Sequence, residues 1–112
     1  MPNQTLIVNK KTNMLADTPE SIYTAPGSGK GTVINTLTAA NNSTSNKSYK
    51  AYIVGSDETE VQNPQQPFRI VLWDDIDAGS GVAGQTIPPG GSLYVECNAP
   101  ESVYFTVSGT EN

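Results

Sequence analysis

Short segments in which apolar and polar residues alternate recur along the whole chain, and turn residues separate them. The segments Thr32 to Ala40, Ser48 to Val54 and Val103 to Ser108 follow this pattern, which places successive side chains on opposite faces of a strand. No run longer than about eight residues has the 3.6-residue period of an amphipathic helix. About seven or eight short strands of this kind predict an all-β fold, either an antiparallel β-sandwich or a jelly roll.

The alternation also predicts which side chains share a face. Tyr49, Ala51 and Ile53 fall on one side of their strand, as do Val103, Phe105 and Val107 on theirs, and the most apolar strand, Phe68 to Trp73, has Phe68, Ile70 and Leu72 on one side. The intervening segments Lys10 to Glu20, Asp57 to Gln66 and Asp74 to Gly84 are predicted loops. Pro88-Pro89-Gly90-Gly91 has proline second and glycine third, which fits a type II turn.

Size and charge limit the organisation and the partners. The chain has 112 residues, which suits one domain. We expect a single β-sandwich over residues 21–112, preceded by an N-terminal arm or edge strand over residues 1–20. Only 15% of the residues are charged and the net charge is −5, so a nucleic-acid partner is not expected, because phosphate binding needs a basic face.

Histidine is absent and Cys97 is the single cysteine. The lack of histidine removes the nucleophile arrangements that depend on this base and the usual zinc sites. Cys97 alternates with Leu93 and Val95, which predicts a small buried side chain rather than a reactive thiol. No secretory signal or membrane-spanning segment is visible, so we expect a protein made in the cytoplasm, with no membrane partner.

The stretch from Thr24 to Thr32 reads TAPGSGKGT and resembles the nucleotide-binding loop of adenylate kinases. Gly29, Lys30 and Thr32 fit that loop, but Thr24 stands where its leading glycine belongs. A phosphate-binding loop must also open a helix, whereas the β-branched residues after Gly31 favour a strand. We therefore predict a turn-forming loop and keep a nucleotide-binding enzyme that uses Gly29 and Lys30 as a remote alternative.

Two residue sets could bind small ligands. Asp74, Asp75 and Asp77 could hold a hard cation such as calcium, but Thr86 stands where an EF-hand loop needs its last glutamate, and a solvated acidic loop is the simpler interpretation. Trp73 with Tyr49, Tyr52, Tyr94 and Tyr104 could form a sugar-binding platform. Such aromatic residues more often belong to a core or a protein interface. We predict no catalytic residue, cofactor or metal.

The order of the segments resembles the small β-sandwich virion proteins of tailed bacteriophages. The resemblance lies in Ile22-Tyr23-Thr24-Ala25-Pro26, in the strand that ends near Asn41, in Ile87-Pro88-Pro89-Gly90-Gly91-Ser92-Leu93, and in the closing Val107-Ser108-Gly109. It covers residues 22–109, and its motifs are short. Proteins of this kind include capsid decoration or cement proteins and tail-tip or fibre-associated proteins.

The resemblance implies a non-enzymatic structural protein of the virion. The main hypothesis is a capsid decoration protein that binds the major capsid protein or other virion proteins as a homo-oligomer, a trimer or a dimer. The alternative is a tail-tip or fibre-associated module that binds a receptor or a glycan. The candidate interface residues are Leu6, Ile7 and Val8 in the arm, together with Tyr52, Trp73, Tyr94 and Tyr104.

Overall fold

The structure, a computed structural model, describes residues 5–12, 15–56 and 66–112, and the side chains of 15–56 and 69–112. These residues form strands and turns without a helix, so the described part of the chain contains no helix that could cross a membrane. The nine strands are β1 (Thr5–Thr12), β2 (Glu20–Thr24), β3 (Thr32–Asn41), β4 (Lys47–Val54), β5 (Gln66–Val71), β6 (Asp75–Ala78), β7 (Thr86–Ile87), β8 (Ser92–Cys97) and β9 (Val103–Glu111).

The strands form two antiparallel sheets whose order is that of a jelly roll. The first sheet runs β1-β9-β3-β6, with β7 also paired to β3, and the second runs β2-β8-β4-β5. Because β6 and β7 both pair with β3, they count as one interrupted strand, which leaves eight strands, four in each sheet. The predicted all-β sandwich or jelly roll is confirmed.

The core lies between the sheets and is built from the predicted inward faces. Tyr49, Ala51 and Ile53 pair with Cys97, Val95 and Leu93 of β8, and Val103, Phe105 and Val107 are fully buried. The rings of Tyr49 and Phe105 meet edge to face at 5.6 Å between centroids, which joins the two sheets. Cys97 is buried, as predicted, and burial raises the pKa of its thiol.

The segment predicted as a loop from Asp74 to Gly84 is instead partly a strand. Asp75–Ala78 pairs with Thr38–Asn41 as β6. A turn at residues 80–84 then interrupts the strand and places the fully buried Val82 in the core, and pairing with β3 resumes at β7. The prediction was wrong because glycine and serine around Val82 are typical of an exposed loop.

Other predicted boundaries shift by a few residues. The predicted loop that starts at Lys10 begins later, because β1 continues to Thr12. The strand predicted to end at Trp73 ends at Val71. The predicted loop from Asp57 lies outside the described residues up to position 65, and Gln66 belongs to β5. The type II turn is confirmed, since Gly90 has a φ of 76° and the Gly91 N–H donates to the Pro88 carbonyl at 2.8 Å.

Candidate interaction surface

The connections between strands gather at two ends of the sandwich. One end, here called the tryptophan end, carries residues 42–46, 72–74 and 98–102. The opposite end, here called the glycine end, carries residues 25–31, residues 88–91 and the last residue, Asn112. Strand β3 spans the distance between them, which is about 30 Å for ten extended residues.

Large exposed apolar side chains concentrate at the tryptophan end. Trp73 is 60% exposed, Ile76 66% and Tyr104 47%. Tyr104 and Ile76 both pair with Ala40, from opposite sides of β3. Directly opposed residues have their β-carbons about 5 Å apart, so Tyr104, Ala40 and Ile76 form one apolar row on the outer face of the first sheet. Two further exposed apolar residues, Ile70 and Leu72, lie just before Trp73 on the side of the second sheet.

The buried side chain of Asn41 fixes the chain at this end. Its Nδ2 donates to the carbonyls of Val71 and Ser45, each at 3.0 Å. Its Oδ1 accepts from the N–H and the hydroxyl of Ser43. In addition, the Asn41 carbonyl accepts from the N–H of Asp74 at 3.0 Å. One side chain therefore ties the loop after β3 to the last residue of β5, and it positions the segment that carries Trp73.

The two other predicted tyrosines are less accessible than Trp73 and Tyr104. Tyr52 and Tyr94 are paired with each other on β4 and β8, on the face that points away from the core. Tyr94 is half-buried, but Tyr52 is only 5% exposed. The Tyr52 hydroxyl donates to Glu96 at 2.6 Å, and desolvation together with this bond raises its pKa to about 12. These contacts hold the Tyr52 side chain within the fold, whereas the side chains of Tyr104 and Ile76 are exposed to solvent.

The predicted arm residues Leu6, Ile7 and Val8 belong to β1, at the edge of the first sheet. They pair with Thr110, Gly109 and Ser108 of β9 in the same chain. Their side chains lie outside the described set, so their role at an interface stays a prediction.

The aspartates considered for a cation have different partners. Asp77 accepts from the Tyr49 hydroxyl at 2.6 Å and from the Arg69 guanidinium at 2.8 Å. Desolvation by burial and the bond to Asp77 raise the pKa of Tyr49. Asp77 lies opposite the buried Ala39, so this network spans the gap between the edge strands β5 and β6. Across residues 15–56 and 69–112, no cluster of three potential metal ligands is found.

At the glycine end, backbone contacts account for the stretch that resembles a phosphate-binding loop. Thr32 begins strand β3, so the predicted strand is confirmed, and the helix that would hold a phosphate is replaced by a strand. The Lys30 N–H donates to the Asn112 carbonyl, and the Asn112 N–H donates to the Gly31 carbonyl. Gly29 and Gly31 have φ values of 88° and 98°, which favour glycine.

A tyrosine joins the sheets at this end as well. The Tyr23 hydroxyl donates to the carboxylate of Glu111 and lies 2.7 Å from the hydroxyl of the buried Thr32. Burial and the bond to Glu111 raise the pKa of Tyr23 to about 12. These contacts link β2 of the second sheet to β3 and β9 of the first.

The sequence identified Trp73 and Tyr104 as interface candidates and missed Ile70, Leu72 and Ile76. The run Phe68 to Trp73 is apolar on both faces apart from Arg69, and the buried Val71 uses only one of them. Because the core covers only one face of an edge strand, the second apolar face was the available signal that Ile70 and Leu72 are exposed. Ile76 had no such signal, because its isolated position between Asp75 and Asp77 is typical of a loop.

Comparison with known proteins adds no relative to these observations. The chain matches no family model and no curated protein.

Proposed function

We propose that this chain is a non-enzymatic structural protein of a phage virion, a decoration protein that docks on capsid subunits through the tryptophan end. The observation that carries the proposal is the concentration of exposed apolar side chains there, with Trp73, Ile76 and Tyr104 as its centre. Clustered exposed apolar and aromatic residues are typical of protein interfaces. The jelly roll also occurs in capsid proteins, although a fold alone does not define a function.

The geometry of this surface suits rigid docking. Tyr104 and Ile76 stand on paired strands, and Trp73 follows directly from the segment that Asn41 fixes. Side chains held in place before binding lose little conformational freedom when a partner covers them. The major capsid protein would contact this row, and copies of the chain would associate around the same site.

The test uses phage heads assembled without this protein and reconstituted with purified variants. We expect wild type to bind the heads, and Trp73→Ala and Ile76→Ser each to lose at least about 1 kcal/mol of binding free energy, the level that marks an energetically important interface residue. Occupancy is measured by cosedimentation and by imaging of the particles. Lys30→Ala, at the opposite end, is the matched control and should bind as wild type.

Full occupancy with both Trp73→Ala and Ile76→Ser would contradict docking through this end. Absence of wild-type binding to heads would contradict the decoration function itself. Point variants are preferable to deletion of residues 1–20, because that deletion also removes β1 and uncovers the edge of β9.

A further inference from the structure

A second surface at the tryptophan end lies on the outer face of the other sheet. A depression of about 200 Å³ is lined there by Asn46, Lys47, Ser48, Ile70 and Asn98. Ser48 and Ile70 are paired across β4 and β5, which places them about 5 Å apart on one face. Asn98 reaches Ser48 from the end of β8.

Two asparagines present fixed hydrogen-bond donors to this depression. The Oδ1 of Asn98 accepts from the Ser48 N–H at 3.0 Å, and the Oδ1 of Asn46 accepts from the Trp73 N–H at 3.0 Å. Because a backbone N–H requires an oxygen acceptor, these bonds fix which end of each amide is the nitrogen. Neither Nδ2, nor the Ser48 hydroxyl, bonds to another atom within the described residues.

An adjoining depression supplies acceptors. It has a volume of about 110 Å³, shares Ser48 and Asn98 with the first, and is also lined by Asp17 and Glu96. The first half of the combined groove therefore offers amide donors, Lys47 and the apolar side chain of Ile70, and the second half offers two carboxylates and Lys50.

We propose that this groove binds a saccharide. Sugar hydroxyls both donate and accept, which matches carboxylates and amide nitrogens side by side. The carboxylates of Asp17 and Glu96 are matched in number by the ammonium groups of Lys47 and Lys50, so the groove has no net charge that favours an anion. A purely apolar ligand would leave the two amides without partners. The first depression is smaller than the sites that hold drug-sized ligands, so it takes one sugar ring, whose apolar side packs on Ile70.

The saccharide site is independent of the proposed docking function. None of the residues that line the groove belongs to the row of Tyr104, Ala40 and Ile76, so substitutions in the groove leave that row unchanged. The inference does not rest on a virion location, and variants of the two surfaces fail separately.

The asparagines allow an isosteric test. Asn46→Asp and Asn98→Asp each keep the oxygen that accepts from the backbone and remove the amide donors. Asn42→Asp is the matched control, because it introduces the same charge at an exposed position in the 42–46 connection. The probes are methyl glycosides of N-acetylglucosamine, glucose and galactose, and the wild type is also screened on a glycan array. Binding is followed through the side-chain amide NMR signals of Asn46 and Asn98.

We expect at least one of these glycosides, or an array hit used as the free glycan, to shift both amide signals in the wild type. Each aspartate substitution in the groove should weaken binding at least tenfold, and Asn42→Asp should leave it within twofold. The inference would be overturned if no saccharide shifted the two signals, a result that needs no variant. It would also be overturned if both groove variants, shown to be folded by circular dichroism, bound as tightly as the control.

Discussion

Both ends of the sandwich are built from turn-forming residues, mainly glycine and proline at one and asparagine and serine at the other, and different interactions hold them. At the glycine end, backbone groups bond to backbone groups, and Lys30, Gly31 and Asn112 close the loop among themselves. At the tryptophan end, the side chain of Asn41 bonds to two carbonyls in addition to the backbone bonds, and large apolar residues remain exposed. The comparison teaches that backbone contacts account for the glycine-rich motif, whereas the exposed apolar residues have no partner among the described residues that explains them and carry the proposed docking function.

The largest effect on stability is expected from Asn41→Ala. The substitution leaves the carbonyls of Val71 and Ser45 and the N–H of Ser43 without their partner. Since buried groups that lose a hydrogen bond are costly, we expect the free energy of unfolding to fall by about 3 kcal/mol. Urea unfolding measures the change. The neighbouring Asn42 is exposed, and Asn42→Ala should stay within about 0.5 kcal/mol of wild type.

A loss at Asn41→Ala no larger than that of the Asn42→Ala control would break the comparison. It would mean that the tryptophan end is not held by this side chain and that the exposed row lies on a loosely fixed segment.

A smaller loss of stability is expected from Gly31→Ala at the glycine end. Gly31 has a φ of 98°, and a β-carbon there would overlap the carbonyl oxygen of Ile87. We expect the free energy of unfolding to fall by about 2 kcal/mol, from backbone strain and displacement of β7. Thermal and urea unfolding would show the change.

Gly27 is the matched control in the same loop. A β-carbon at Gly27 would meet no atom within 4 Å, so Gly27→Ala should change stability by less than about 0.5 kcal/mol. Equal losses at Gly27 and Gly31 would show that the loop is sensitive as a whole, contrary to the specific contact with Ile87.

The sequence predicts the features that depend on near neighbours. Alternation alone places Tyr49, Phe105 and Cys97 in the core, and proline and glycine spacing alone predicts the turn at 88–91. Gly31 shows the limit of such local reasoning, because the carbonyl of Ile87, which only the folded sheet brings close, leaves no room for a β-carbon there. On the local sequence alone, a phosphate-binding loop therefore stayed open as a remote alternative.

The candidate surface is less predictable for a related reason. Asp77 points inward because Tyr49 and Arg69, both from the other sheet, satisfy its oxygens. With Asp77 inward, Ile76 must point outward, which reverses the usual placement of apolar and charged residues. Asn46 and Asn98 are loop residues in the sequence, and their fixed amides depend on backbone groups of Trp73 and Ser48. Contacts between segments that are distant in the sequence thus fix the side chains of Asp77, Asn46 and Asn98.

The smallest expected effect concerns the tyrosines that join the two sheets, Tyr23 near the glycine end and Tyr49 toward the other. Both have a raised pKa in the folded protein, Tyr23 to about 12. An acid with a raised pKa contributes its full stability below the unfolded value of about 10 and loses it as the pH rises toward the folded value. The free energy of unfolding should therefore fall between about pH 9 and about pH 11. Tyr23→Phe and Tyr49→Phe, measured by urea unfolding at both pH values, should each show a smaller fall than wild type. If the free energy of unfolding fell equally in wild type and in both variants, the loss at high pH would come from other groups. The buried tyrosine hydroxyls would then not be a stabilising feature common to the two ends.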